Sequence, residues 1–473
     1  MYNKIEPPSR QERQVLSTRQ SAGFERKAVS LWDALWLVVL TAYIMVGIGS
    51  VPFHGDEAMQ ITMSRDYFTA FVNRQPQALL VTPPYPVDSP QLLRLINGSV
   101  NLHTVGLSLQ VAGYGETALP PLWQWPLSYD ENIARGDRPT QSMLVISRVS
   151  SALFLAVSAV ILFGIGWQLG GRWTGYIASG LYALNPVILL NGRRAMMEGS
   201  VLYFGLLTIL IAMLICRGRN NWRWWIGLGI AGGLTLASKH SGVVYIVAAL
   251  GWVIIRAVQV STPNPNPSPI VTGEGSNTKK NSQKLFNIIN RIGFGLVVMV
   301  GVFITLSPAQ WSNPIARFGD LLSQRAALLE SQVKAEPTAP TSMSDRVMGI
   351  VTQPYMQAPV YFEVGFWAGA APVQAEIAQY DSSIWSGLHA GTVIGGILTV
   401  LAALGIFVSA RDWRTWKVGL LVWLAVVIAS LLVNPLPWQR YYLALYPVIT
   451  VLTAIGIVSV MNWMRRRLSH QLE

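Results

Sequence analysis

The sequence predicts an all-α polytopic membrane protein with about ten transmembrane helices. Of its 473 residues, 51% are hydrophobic and only 12% are charged, about half the charged share of a soluble domain. The apolar residues gather into runs near the roughly 20 residues that a helical span needs. A single cysteine, Cys216, excludes a disulfide framework and any cysteine-based metal site.

Ten runs qualify or nearly so: 31–50, 143–169, 173–190, 196–216, 224–237, 242–258, 292–307, 388–410, 418–433 and 441–464. The fifth, sixth and seventh are short. The polar stretch 1–30 shows no cleavable signal pattern, so the first run is expected to be a retained helix. The net charge of +12 suggests nucleic acid at first sight. The basic residues are instead scattered between apolar runs, and membrane topology explains them better, with no nucleic-acid partner.

With the N-terminus in the cytoplasm, a majority of the 35 Lys and Arg fall on that side. They sit in 1–30, at Arg172, in "CRGRNNWRW", between Arg256 and Arg291, in "RDWRTWK" and at Arg465, Arg466 and Arg467. The positive-inside rule then places both termini in the cytoplasm. The expected layout is a tail at 1–30 and an N-terminal transmembrane module at 31–258, with an outer loop at 51–142. A cytoplasmic linker at 259–290 follows, then a C-terminal module at 291–464 with an outer loop at 309–386, and a tail at 465–473. The linker is rich in Pro, Asn and Ser and reads as disordered. In the first outer loop, Met59, Met63, Tyr67, Phe68, Phe71 and Val72 recur at helical spacing, which predicts an interfacial amphipathic helix. "LLRLINGSVNLHTVGLSLQVAGYG" is a candidate for a second.

In this topology the polar residues collect at one membrane face. "VPFHGDEAMQITMSRD" follows the first run and sets Asp56 and Glu57 side by side. "NGRRAMME" supplies Arg193, Arg194 and Glu198. "SKHSG" supplies Lys239 and His240, "SPAQWSNP" follows the seventh run, and "NPLPWQRYY" supplies Arg440 and Tyr441. Arg148 lies at the outer start of the second run. Ionisable groups at membrane depth are costly and mark function or pairing.

Each residue also has a plainer reading. Asp56 is a candidate helix N-cap. Arg193 and Arg194 are candidate interfacial snorkelers, and Glu198 a salt-bridge partner for either. Lys239 and His240 can cap the end of the fifth run. Arg440 and Tyr441 fit an interfacial belt. The co-location of acids and bases is the stronger signal.

Basic groups at a bilayer surface suit a lipid phosphate, and a neighbouring carboxylate suits a general base acting on a hydroxyl. No nucleotide-binding loop and no HExxH motif is present. Together these features suggest group transfer from a lipid phosphate.

"HGDEAMQI" resembles the Asp-Glu exit motif of protein O-mannosyltransferase-like glycosyltransferases of the GT-C superfamily. "ALNPVILLNGRRAMMEGSVLYFGLL", "GLTLASKHSGVVYI", "LSPAQWSNP" and "QRYYLALYPVITVLTAIGI" resemble later family segments, in family order. The resemblance implies a GT-C-like fold, a polyprenyl-phosphate-linked sugar donor and transfer with inversion at the extracytoplasmic face of the cell membrane. It implies Asp56 as general base and Glu57 as an acceptor-positioning or cation-holding residue. Lys239, Arg440 and one of Arg193 and Arg194 would bind the donor phosphate, with His240 beside them. Glu198, Arg148 and Tyr441 would support the site. A divalent cation is the one cofactor it allows, with Asp56, Glu57 and His240 as candidate ligands. The acceptor, a glycan, a lipid or a protein, is left open. The first outer loop departs from the family, with "NGSVNLHTVG" where many members carry a Pro-rich element. A lipid-linked oligosaccharide polymerase or ligase shares the donor class. A lipid-linked sugar transporter or flippase is the alternative of another class. Against it, no internal repeat is evident and the charges lie at run ends rather than at midplane.

Overall fold

The computed structural model describes residues 29–261, 274–336, 342–363 and 365–472. Residues 1–28 of the expected tail and 262–273 of the expected linker lie outside the described residues. Among the described residues there is no strand. The helices of seven residues or more are α1 (Leu31–Val46), α2 (Gly55–Met63), α3 (Pro90–Ile96), α4 (Ser99–Val111), α5 (Gln141–Gly170), α6 (Arg172–Ala183) and α7 (Pro186–Arg193). They continue with α8 (Glu198–Cys216), α9 (Trp222–Ser238), α10 (Val243–Ser261), α11 (Glu274–Leu306), α12 (Pro314–Ala335) and α13 (Met343–Thr352). The last four are α14 (Ala371–Asp381), α15 (Gly391–Arg411), α16 (Gly419–Val433) and α17 (Leu445–Leu472). By packing, the chain forms two units, 1–39 and 40–473.

Among the described residues, eight helical segments are long and apolar enough to cross a membrane. The sequence count was about ten. The difference lies in the third and fifth runs. The third is split into α6 and α7 at Asn185-Pro186. Pro186 has no N–H to continue α6, and the Asn185 side chain restarts the helix by accepting from the N–H groups of Val187 and Ile188 at 3.0 and 3.2 Å. The fifth forms α9, whose 17 residues stop at Lys239 just below the length of a full span.

The predicted interfacial stripe of the first loop is mostly core. Met59 and Met63 pack against Leu93 of α3 and Leu102 of α4, and Phe68 is 3% exposed. Phe71 and Val72 do face outward. The second candidate, α4, likewise buries Val100, Leu102, Val105 and Leu109. The periodicity was real, but the partner is protein: the two long loops pack on each other. Val51, Phe53, Trp123 and Tyr129 of one share a core cluster with Tyr361, Phe362 and Trp367 of the other. Trp125 stacks on Trp367 at 4.5 Å between ring centroids. An exposed apolar stripe belongs instead to α12, where Ile315, Phe318, Leu322 and Leu329 are all exposed.

Candidate active site

The chain leaving α1 ends in "GIGSVPF", which is not α-helical. Its carbonyls lack the partners a continuing helix would give them. Three arginines supply those partners. Arg193 donates to the carbonyls of Tyr43 at 2.6 Å and Ile44 at 2.9 Å. Arg148 donates to Ile48 at 3.0 Å and Val51 at 2.8 Å. Arg194 donates to Pro52 at 3.2 Å and to Tyr361 at 3.0 Å. All three are 1% exposed or less. Gly47 makes room for one of them, because a Cβ there would stand 2.4 Å from the Arg193 guanidinium.

Helix α2 then begins at Gly55. Its N-cap is His54, not Asp56. The His54 Nδ1 accepts from the Asp56 N–H at 3.1 Å, and the His54 N–H donates to Glu57 Oε2 at 3.1 Å, a reciprocal capping box. Glu57 is 0% exposed. Arg148 grips both of its oxygens at 2.7 and 2.8 Å, and the Ala195 N–H donates to Oε1 at 2.9 Å. Burial alone would push the Glu57 carboxyl up; Arg148 outweighs it and holds the group below its usual range. Its acceptor capacity is spent on the protein.

The Asp56 side chain, by contrast, is 16% exposed and forms an ion pair with Arg440. Arg440 lies in the 3-10 segment Gln439–Ala444 before α17. Its Nε lies 3.2 Å from Glu363 Oε1. The second Glu363 oxygen lies 3.1 Å from His54 Nε2, and the His54 ring stacks on Phe362 at 5.1 Å. Burial pushes the Glu363 carboxyl up, but Arg440 and His54 together hold it far below the ordinary range. Gln439 fixes this arrangement. It accepts from the Val360 N–H at 2.8 Å and donates to the Ala358 carbonyl at 3.2 Å.

Arg440 also lines a crevice of about 160 Å³ with Glu198, Lys239, Tyr245 and Tyr441. The apolar wall includes Val201, Leu202, Val243, Leu431 and Leu443. Lys239 donates to Glu198 Oε1 at 2.6 Å, and its Nζ stands 5.9 Å from the Tyr441 ring centroid. The position of Lys239 depends on a close approach: a Cβ on Gly98 would fall 2.0 Å from the carbonyl oxygen of Ser238.

The structure thus brings Glu198, Lys239, Arg440 and Tyr441 together around one crevice, and Asp56 is joined to it by its ion pair with Arg440. Arg193 and Arg194 are not on it. The expectation that one of them faces the donor does not match their contacts, since orphaned carbonyls hold both. His240 lines a separate small cavity with Asp66, Arg94 and His103. Asp56, Glu57 and His240 therefore do not converge as metal ligands. Among the described residues no group of three or more His, Cys, Asp or Glu is arranged to hold a metal ion. The space between Asp56 and Glu363 already holds the Arg440 cation. Two residues beside the Asp56–Arg440 pair are not expected from the sequence, His54 and Glu363. The available signal was Glu363 as a lone charge inside the aromatic run "PVYFEVGFWAG".

The family model of dolichyl-phosphate-mannose-protein mannosyltransferases matches residues 120–268. This is the family that the motifs resemble. It is a glycosyltransferase family of the GT-C type, and the matched segment carries Arg148, Arg193, Arg194, Glu198, Lys239 and His240. No curated protein sequence matches the chain. Among solved structures, the chain is similar to the Saccharomyces cerevisiae protein O-mannosyltransferase Pmt1-Pmt2 complex bound to its sugar donor. The identity is 13%, with 64% of this chain and 35% of that one covered at a TM-score of 0.40. It is similar to Cupriavidus metallidurans ArnT bound to undecaprenyl phosphate, at 14% identity over 91% and 60% of the two chains, TM-score 0.49. It is similar to the Archaeoglobus fulgidus oligosaccharyltransferase in complex with Zn and sulfate, at 13% identity over 92% and 50%, TM-score 0.48. The chain spans less than two thirds of the length of each. TM-scores below 0.5 leave these as likenesses only.

Proposed function

We propose that the protein is a membrane glycosyltransferase that moves a sugar from a polyprenyl-phosphate donor to an acceptor hydroxyl at the outer membrane face, with inversion. One observation carries the reading. Asp56 and Arg440 are 384 positions apart in sequence, yet they form an ion pair, and Arg440 lines one crevice with Lys239. A base and phosphate-binding cations are what this transfer needs in one place.

In this reading the donor phosphate enters between Lys239 and Arg440, and its chain lies along the apolar wall. The phosphate takes a share of the Arg440 guanidinium, which leaves the Asp56 carboxylate open to the acceptor. Asp56 accepts the proton of the acceptor hydroxyl. The hydroxyl oxygen bonds to the anomeric carbon from the face opposite the phosphate. The anomeric carbon–oxygen bond breaks, and its electron pair leaves with the phosphate. Arg440 and Lys239 stabilise that charge more in the transition state than in the bound donor. His54 and Glu363 hold Arg440 and the start of α2 in register.

The test is sugar transfer from a labelled polyprenyl-phosphate sugar by membranes that contain the protein. Asp56→Asn keeps the shape of the side chain but removes the base. It is expected to lose about 10²–10⁴-fold in transfer while donor binding persists. Transfer at an undiminished rate would remove the base assignment.

A further inference from the structure

Three long apolar helices each put one end on the crevice. The start of α8 supplies Glu198, Val201 and Leu202, the start of α10 supplies Val243 and Tyr245, and the end of α16 supplies Ser430 and Leu431. All three belong to segments long and apolar enough to cross a membrane. They have 19, 19 and 15 residues. At about 1.5 Å per residue they lead away from the crevice by roughly 22–28 Å, close to the thickness of a hydrocarbon core. Their other ends therefore lie at the opposite membrane surface.

Those ends are tied together by the turn "RDWRTWK" between α15 and α16. Arg217, the C-cap of α8, lies over the Trp416 ring, its guanidinium carbon 4.8 Å from the centroid. The Trp252 indole of α10 donates to the Trp416 carbonyl at 2.6 Å. Gln259 of α10 donates to the Trp413 carbonyl at 2.7 Å and accepts from Arg256 at 3.3 Å. On the turn itself, Arg414 lies over the Trp413 ring at 5.0 Å, and Lys417 stands 3.1 Å from Asp412. The junction is close-packed beneath these cations: a Cβ on Gly419 would fall 1.6 Å from the Trp252 ring.

The charge at this junction is one-sided. The stretches 214–221, 250–261 and 411–418 hold six basic residues, Arg217, Arg219, Arg256, Arg411, Arg414 and Lys417, against one carboxylate, Asp412. In the crevice, by contrast, Lys239 and Arg440 face three carboxylates of the protein itself. The surroundings indicate the kind of anion that would balance the junction. Ile254, Ile255 and Val258 of α10, Phe407 of α15 and Trp413 of the turn are exposed. Apolar side chains exposed on a span face hydrocarbon, and an exposed indole suits the headgroup level. Cations fixed at that level, at the border of an apolar face, suit a phosphate that is attached to a lipid, with the lipid chains beside α10 and α15.

We propose that this junction binds the phosphate of an anionic phospholipid in the membrane leaflet opposite to the crevice, through Arg217, Arg414 and Lys417. The lipid thereby holds together the far ends of the three spans that wall the crevice. The site is separate from the crevice and does not depend on a lipid-phosphate donor binding there.

The experiment follows a fluorescent phosphatidylglycerol bound to the purified, delipidated full chain in a non-ionic detergent. It is displaced with unlabelled phosphatidylglycerol, with phosphatidylcholine of the same chains and with inorganic phosphate. Phosphatidylglycerol is expected to displace the label about tenfold better than phosphatidylcholine, or more. Arg217→Gln and Arg414→Gln should each weaken binding by about tenfold, as loss of one charge-assisted contact does. Arg217→Lys, which keeps the charge, should bind more tightly than Arg217→Gln. Arg414 is exposed, so its replacement tests the charge without disturbing the packing under Trp416. Arg440→Ala, in the crevice, should bind phosphatidylglycerol as the unaltered chain does. Unchanged binding in Arg414→Gln overturns the proposal, and so does phosphatidylcholine that displaces the label as well as phosphatidylglycerol. Loss in Arg440→Ala with none in the junction variants overturns it by placing the lipid in the crevice. Inorganic phosphate that displaces the label as well as phosphatidylglycerol overturns the lipid as the source of the phosphate.

Discussion

Asp56 and Glu57 are neighbours in sequence, and each forms an ion pair with an arginine far away in the chain. The pairs differ in what surrounds them. Glu57 and Arg148 are both 0% exposed. Their further hydrogen bonds are with backbone: the Ala195 and His54 N–H groups on one side, the Ile48 and Val51 carbonyls on the other. Asp56 and Arg440 are 16% and 15% exposed, and Arg440 lines a crevice. Arg440 divides itself between two carboxylates. One pair is closed, and it locks the end of α1 to α2 and α5. The other is partly exposed, and in the proposed function it exchanges with a ligand. Adjacent positions on a helix point about 100° apart, so a two-residue motif can serve the fold with one side chain and the chemistry with the other.

The largest expected effect tests the closed pair. Glu57→Gln leaves the Arg148 guanidinium buried without its countercharge, and breaking such a pair costs about 3–5 kcal/mol. Chemical or thermal unfolding of the purified protein should show that loss. A stability within about 0.5 kcal/mol of the unaltered protein, the range of an ordinary surface substitution, would erase the contrast between the pairs.

Arg440→Lys probes the open pair more gently. The ammonium keeps the charge but cannot bridge Asp56, Glu363 and a phosphate as a planar fork does. Turnover and donor affinity should both fall, each by about tenfold, roughly the worth of one charge-assisted contact, with stability nearly kept. Steady-state kinetics against donor concentration separates the two. Unaltered constants would show that Arg440 does no more than neutralise its neighbours.

The smallest effect is in acid. Glu57 and Glu363 both have carboxyls held below the ordinary range, so each contributes stability that is fully present above the unfolded value of about 4.3 and is lost as pH falls below it toward the folded value. Stability should therefore be flat from neutral pH down to about 5 and decline below. The Glu57→Gln variant should decline less. An equal decline in both would show that Glu57 is not one of the groups protonated.

Much of this was legible in the sequence, for reasons that are physical. Asp56 and Arg440 stood out because a charge at the end of an apolar run is expensive and needs a purpose. Lys239 and Glu198 stood out in the same way, and they do face the crevice. Arg193 and Arg194 stood out equally and proved to be filled by carbonyls. The sequence does not reveal that "GIGSVPF" leaves α1 with unpaired acceptors, because that depends on how the chain turns. His54 took the capping role that Asp56 seemed suited for, since an imidazole nitrogen can accept as a carboxylate does. Glu363 lies in the loop at 309–386, whose path is set by packing against the first loop rather than by any periodicity. The third run was long enough to span, but Asn185-Pro186 broke it, a signal present in the sequence and outweighed in the reading by hydropathy.

In the proposed function the two carboxylates at the start of α2 have separate tasks, and a paired measurement on two variants separates them. Asp56→Asn and Glu57→Gln are purified, the folded fraction of each is determined, and sugar transfer per folded molecule is measured at saturating donor. The expected result is a double dissociation. Asp56→Asn folds as stably as the unaltered chain and transfers about 10²–10⁴-fold more slowly. Glu57→Gln is much less stable, yet its folded molecules transfer within about tenfold of the normal rate. Loss of transfer in folded Glu57→Gln as deep as in Asp56→Asn, or transfer by Asp56→Asn at the normal rate, would contradict the account.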